Sequence, residues 1–429
     1  MQASAVAGTV QDERTPARSG REMLAAVDMS RNLDQSSHHI LSLDGIRGLA
    51  ILMVFTFHCL ITVGTAPNAN VCFRLLHSVS RWGYCGVDLF FVLSGFLITQ
   101  ILLKTRNSTN FYRVFYIRRA LRIFPLYYLA IAIVFLLLPQ IAVSYPALGL
   151  YAKQVPFRTQ IWFWLNMSNF PTAFDPLIVP VLTPFWSLAI EEQFYFVWPS
   201  VIRRFRNRAL AAICVVGFLI PLVLRVSHAA PSSAGPGFYY RITPYHMEGL
   251  FAGAALALLD LKGDLSRYKG FFVAAMGLAS AGVACSILWH NVIAIQQSLL
   301  TLYSLFFTGL VGICLLGHKR SFGLSKVFSA RFLRALGERS YFIYVFHAAA
   351  ISYAESAAQF LLRGSRIETN TDLFQTGIFP FALMMVYFAA SLSKTYFEGP
   401  LLRLKKYFRY AIAHPQVQTS GTRVPFAVS

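Results

Sequence analysis

Leu43 to Gly64 reads LDGIRGLAILMVFTFHCLITVG, an apolar run that carries Asp44 and Arg47 near one end and His58 toward its middle. The run is long enough to cross a bilayer as one helix. Eleven helical residues at 100° each return almost to the starting angle, so Arg47 and His58 share one face, about 16 Å apart along the axis. One face therefore joins a membrane border to the membrane interior. An ionisable side chain at that depth costs about 2.5 kcal/mol or more when charged and unpaired, so it faces a cavity or a partner rather than lipid. An imidazole titrates near working pH and keeps one ring nitrogen free for a proton. His58 is thus the first candidate for general base catalysis or acyl transfer, against the plainer role of a neutral imidazole bonded to a backbone carbonyl.

The composition extends this reading to the whole chain. Of 429 residues, 56% are hydrophobic and only 13% charged, well below the roughly 25% charged of soluble domains. The apolar residues fall into repeated runs separated by short basic loops, which predicts an all-α polytopic membrane protein of about ten transmembrane helices rather than a barrel. Lys and Arg number 38 against 18 Asp and Glu, a net charge of +20. These cations gather in alternate loops, as the positive-inside rule requires, so they speak for an inner membrane face and anionic headgroups rather than nucleic acid. The six cysteines show no metal-ligand spacing; Cys72 and Cys85 flank an expected outer loop and either pair or remain free thiols.

Residues 1–38 are polar, of mixed charge and without a signal-peptide core, which predicts a disordered cytoplasmic tail. Spans are expected at Leu43–Gly64, Tyr84–Leu103, Ile123–Val143, Pro184–Val201, Ala209–Val226, Ile242–Leu259, Gly270–Trp289, Val292–Leu316, Tyr341–Leu362 and Gln375–Ser393. They make residues 39–398 one membrane domain with both termini cytoplasmic. Ser94 and Gly95 in the second span form a small-residue pair that permits close helix approach. The aromatic segment around IWFWLN, between Ser144 and Thr183, reads as interfacial or re-entrant. Residues 399–429 read as a basic amphipathic tail on the inner surface.

Four groups of polar residues stand in or beside these spans. Beyond Arg47 and His58, the run TPFWSLAIEEQFYFVWP places Glu191 and Glu192 about 12 Å below the expected outer end, near the depth of His58. Adjacent helical positions differ by 100°, so at most one of the two faces a given partner; packing against donors such as Trp186 is the alternative. In FYRVFYIRRALRIFPLYY, Arg118, Arg119 and Arg122 fall within about one turn at the inner border, where they either anchor the helix or grip phosphates with their guanidinium forks. Arg241, His246 and Glu248 in RITPYHMEGLFAGA, His347 in SYFIYVFH, and Asp88 are weaker candidates. No GxSxG context surrounds Ser94, so a serine hydrolase is a poor reading.

The four strings LDGIRGLAILMVFTFH, GVDLFFVLSGFLIT, FYRVFYIRRALRIFPLYY and FWSLAIEEQFYFVWP, in this order and spacing, closely resemble the acyltransferase 3 family of membrane O-acyltransferases. The resemblance covers about residues 40 to 410. It implies a bundle of about ten helices in a bacterial inner (cytoplasmic) membrane that takes an acyl group, often acetyl, from cytoplasmic acyl-CoA and passes it to a hydroxyl of a sugar or glycan, frequently on the outer face. It implies that Arg47 and His58, with ten residues between them, are needed for activity, that Arg119 and Arg122 form the family's RxxR motif beside Arg118, and that Glu191 and Glu192 stand in its WSLxxEEQFY signature. His246 departs from the smaller or apolar residue expected there. Acyl-CoA is then a donor substrate, with no permanently bound cofactor and no metal. Asp44, Asp88, Trp186, Glu248 and His347 are possible supporting residues. Some members carry a fused extracytoplasmic esterase-like domain; this sequence shows none, which leaves it to act alone or with a separate extracytoplasmic partner. A proton-coupled transporter or flippase of a sugar or lipid-linked glycan, with His58 and the glutamates as a relay, is the rival class.

Overall fold

The computed structural model describes residues 40–60, 71–144, 155–227, 237–263, 265–289, 293–318, 323–361 and 372–411. The expected N-terminal tail and residues 412–429 lie outside the described residues. A helix stands at each expected span: α1 (Leu41–Leu60), α2 (Gly86–Thr105), α3 (Phe111–Ala132), α4 (Phe185–Arg204), α5 (Asn207–Ser227), α6 (Glu248–Leu261), α7 (Lys269–Leu288), α8 (Ile293–His318), α9 (Ser340–Leu361) and α10 (Asp372–Ser393). No β-strand occurs among the described residues.

Seven of these, α1, α2, α3, α5, α7, α8 and α10, lie in stretches long and apolar enough to cross a membrane. Of the others, α4 contains two glutamates and two arginines, α6 has 14 residues, and α9 contains His347 and Glu355. The chain is an all-helical, multi-pass membrane protein.

Hydrogen bonds between helix ends place the starts of α3, α5 and α9 beside the ends of α4, α2 and α10. The Tyr116 hydroxyl near the start of α3 donates to the Phe196 carbonyl late in α4 (2.8 Å), and Arg106 just after α2 donates to Asn207 at the start of α5 (3.2 Å). Lys394 after α10 donates to Glu338 just before α9 (2.7 Å) and holds that carboxyl below its usual range. Gly337 packs on the Asp44 backbone at the start of α1. The beginning of α1 and the end of α10 thus share one end of the bundle, the basic end, with Arg118, Arg203 and Lys394.

Close packing relies on missing side chains where the sequence pointed to it. A Cβ on Gly95 would stand 2.0 Å from the Leu250 carbonyl oxygen, and one on Gly253 2.0 Å from that of Val92, so α2 and α6 touch backbone to backbone. The aromatic segment forms two short helices, Phe157–Trp164 and Asn169–Phe174. The first is tied to α3 by the Tyr127 hydroxyl, which donates to the Phe163 carbonyl at 2.8 Å. Beyond α10 the helix continues through a π-helical segment (Lys394–Glu398) and two further turns to Tyr407, and the chain then runs back to the α2–α3 loop. There Asn110 donates to the Arg409 carbonyl (2.8 Å) and accepts from the Ala411 amide (2.9 Å).

Candidate active site

Between α1, α2, α3, α4 and α9 lies a cavity of about 270 Å³. Along α2 its wall runs from Val87 to Ile101, a rise of about 21 Å at 1.5 Å per residue. Arg47, Arg119, Arg122, Glu191 and Glu192 all face it, among apolar side chains such as Phe90, Leu97 and Ile123. The structure therefore brings together five of the residues that the sequence singled out, from three separate helices. Arg118 is turned away, with its guanidinium 5.7 Å from the ring centre of Tyr410. Lys405, which the sequence reading did not single out, stands within electrostatic reach of Arg118, Arg119 and Arg122.

The two glutamates differ, as the 100° between neighbours requires. Glu191 accepts the Ser94 hydroxyl at 3.0 Å and the Tyr195 hydroxyl at 2.8 Å. Both of its oxygens are occupied. Glu192 makes no hydrogen bond among the described residues and meets the field of Arg119. Arg119 also lies over the Tyr195 ring, 5.3 Å from its centre. Arg47 donates to Asp44 at 3.1 Å, one turn earlier on α1, and this bond aims the guanidinium along the cavity wall.

His58 is not among the residues that line the cavity. Its Nδ1 donates to the Val54 carbonyl at 2.9 Å, and its ring packs edge-on against His347, with 4.7 Å between ring centres. Neither Glu191 nor Glu192 touches it. The Ser187–Tyr344 hydrogen bond (2.5 Å) lies between the two groups. Glu191 sits one turn from Ser187 toward the basic end, and His347 three residues beyond Tyr344 the other way. Their offset is thus about 10 Å along the bundle. The expected equal depth of His58 and the glutamates is not what the fold builds: the cavity ends at Tyr344, one turn short of the imidazoles.

Toward the other end of α2, two further pairs join α2, α5, α6 and α8. His246 donates to Asp88 through Nε2 (2.8 Å) and to the Tyr240 carbonyl through Nδ1 (2.7 Å), between Phe91, Trp186 and Tyr240. Both ring nitrogens face acceptors, so His246 and Asp88 share a proton as one unit. Arg225 donates to Glu248 and Thr301, each at 2.7 Å, to the Gln297 carbonyl at 2.8 Å and to the Tyr245 carbonyl. Arg225 is 2% exposed. The sequence reading passed over it because it falls in the last turn of its span, where an arginine reads as a border residue; a strictly buried partner from another span was the missing signal.

The bundle thus gathers three arginines and two glutamates around one long internal cavity, with an imidazole pair beyond it. The sequence match is direct: a family model described as an acyltransferase domain covers residues 40–394, and the chain belongs to this acyltransferase 3 family. It is 30% identical over 337 residues to the peptidoglycan O-acetyltransferase OatA of Listeria monocytogenes, covering 74% of this chain and 50% of that protein. It is 32% identical over 333 residues to the putative peptidoglycan O-acetyltransferase YrhL of Bacillus subtilis, covering 73% and 49%. For the O-acetyltransferase OatA of Staphylococcus aureus the figures are 26% over 341 residues, 75% and 52%. The chain spans about half the length of these curated relatives. No solved structure matches it.

Proposed function

We propose that this protein is an O-acetyltransferase of the inner (cytoplasmic) membrane that moves an acetyl group from cytoplasmic acetyl-CoA to a glycan hydroxyl on the outer side. The names of its relatives favour peptidoglycan as the acceptor. Both termini are then cytoplasmic, and the basic end faces the cytoplasm and its anionic lipid headgroups.

The observation that carries this reading is the cavity. It opens among Arg119, Arg122 and Arg47, whose guanidinium groups suit the phosphates of a nucleotide-bearing donor. Its length along α2 matches an extended pantetheine arm, and its walls beyond the arginines are mostly apolar. A thioester brought to its far end arrives at Tyr344, one turn from His58. The carbonyl of Val54 can only accept, so His58 carries its proton on Nδ1 and keeps a lone pair on Nε2. That nitrogen takes the proton of the acceptor hydroxyl as the oxygen attacks the thioester carbon.

The test is acetyl-CoA binding and slow CoA release by the purified protein in nanodiscs, with water as acceptor. His58→Ala should bind acetyl-CoA as wild type does and release CoA about 10²- to 10⁴-fold more slowly, the usual contribution of a general base. Turnover retained in His58→Ala would end the assignment of His58. A folded wild type that binds no acetyl-CoA would remove the acyltransferase reading and leave the transporter.

A further inference from the structure

The group beside His58 is another histidine. His347 lies on α9, wholly enclosed, with its ring 4.7 Å from that of His58. Its Nδ1 faces the Tyr344 carbonyl at 2.7 Å, just as that of His58 faces the Val54 carbonyl at 2.9 Å. A carbonyl oxygen only accepts, so each ring, when neutral, carries its hydrogen on Nδ1 and a lone pair on Nε2. The two backbone bonds thus fix both tautomers in the same sense. The Nε2 atom of His347 is buried and has no hydrogen-bond partner among the described residues. A buried acceptor left unmade costs about 1–3 kcal/mol. The other groups that face the pair among the described residues are Phe57, Tyr344 and, through its charge, Arg241; none of the described carboxylates contacts either ring.

We infer that His347 is the electrostatic partner of His58, a positioning residue whose buried Nε2 lone pair stabilises the neighbouring ring in its charged form. The inference rests on the acyltransferase reading. When the acceptor O–H bond breaks, its proton goes to Nε2 of His58; the oxygen bonds to the acyl carbon, and the C–S bond breaks with its electron pair on sulfur. The imidazolium formed at His58 spreads its charge over the whole ring, 4.7 Å between centres from the neutral ring of His347, whose unused Nε2 lone pair stabilises that charge. The proton then leaves to the thiolate, giving CoA, and His58 returns to neutral.

Two substitutions separate this role from plain packing. His347→Asn keeps an amide N–H for the Tyr344 carbonyl and removes the Nε2 acceptor; His347→Gln places an amide oxygen near Nε2 and gives up the Nδ1 bond. With acetyl-CoA as donor and water as acceptor, His347→Asn should lower kcat for CoA release tenfold or more with KM for acetyl-CoA unchanged. His347→Gln should retain most of the rate. The pH profile of kcat, set in wild type by two coupled imidazoles, should narrow in His347→Asn to that of one group. A packing role predicts the reverse order of the two variants and an unmoved profile, and that result overturns the proposal. Wild type that releases no CoA overturns the acyltransferase reading and this proposal with it. Should both variants misfold, ¹⁵N-histidine spectra of wild type decide: hydrogens on Nδ1 of both rings sustain the proposal, and a hydrogen on Nε2 of His347 at neutral pH overturns it.

Discussion

Helix α2 carries two clusters of buried polar residues, and they are built on opposite plans. Around Asp88, every charge meets a partner at hydrogen-bond distance: His246 on Asp88, and Arg225 on Glu248 with a threonine and two carbonyls besides. Two turns along, at Ser94, Arg47, Arg119 and Arg122 surround an open volume with fewer bonds than their guanidinium groups can make. Buried charge that braces the fold is spent on protein partners; buried charge kept for a ligand is left facing space. The difference matters because a membrane offers no water to satisfy what the protein leaves unpaired.

The comparison breaks most visibly at Arg225. Arg225→Ala removes the cation from a closed pair and strands Glu248 among α5, α6 and α8, which costs about 3–5 kcal/mol for a buried pair. The expected outcome is a large loss of folded protein, read as yield and thermal unfolding in detergent. A variant as stable as wild type would show that the brace is not structural. Arg119→Ala is the matched change in the cavity. If the proposed donor site is right, stability should hold, while KM for acetyl-CoA rises about 10- to 100-fold, the size of a lost charge-assisted phosphate contact of about 1.5–3 kcal/mol. A lost protein level with unchanged KM would instead make Arg119 an anchor of the helix at the membrane border.

How far the sequence shows this contrast depends on the kind of information each cluster needs. Arg47, His58, Arg119, Arg122 and the glutamates stand out because polar residues interrupt apolar runs, and the cost of burying them is local. Seven of the helices are equally plain, since each lies in a long apolar run. Pairing is not local. His58 and His347 lie near opposite ends of the chain, and only the packing of α9 on α1 joins them. Helical depth counted from span ends put the glutamates level with His58, whereas α4 in fact sits about two turns nearer the basic end. Arg225 looks like a border residue until Glu248 and Thr301 close on it. His246, a departure from the expected small residue, becomes intelligible once Asp88 and three aromatic rings surround it.

Glu191 tests the rule at its boundary, for it lines the cavity yet is bonded like a brace. Ser94 and Tyr195 occupy its two oxygens, leaving Glu192 as the carboxylate open to the space. Tyr195→Phe keeps the ring under Arg119 and deletes only one hydroxyl. If Glu191 belongs to the fold, the variant loses about 1 kcal/mol of stability, the net worth of one hydrogen bond, and KM for acetyl-CoA stays within about twofold. A small fall in melting temperature with unchanged saturation kinetics would place Glu191 beside Glu248 in function though not in space. A rise in KM with no change in stability would mean that the Tyr195 hydroxyl aims Glu191 at the donor, and that hydrogen-bond satisfaction does not separate braces from binding groups in this bundle.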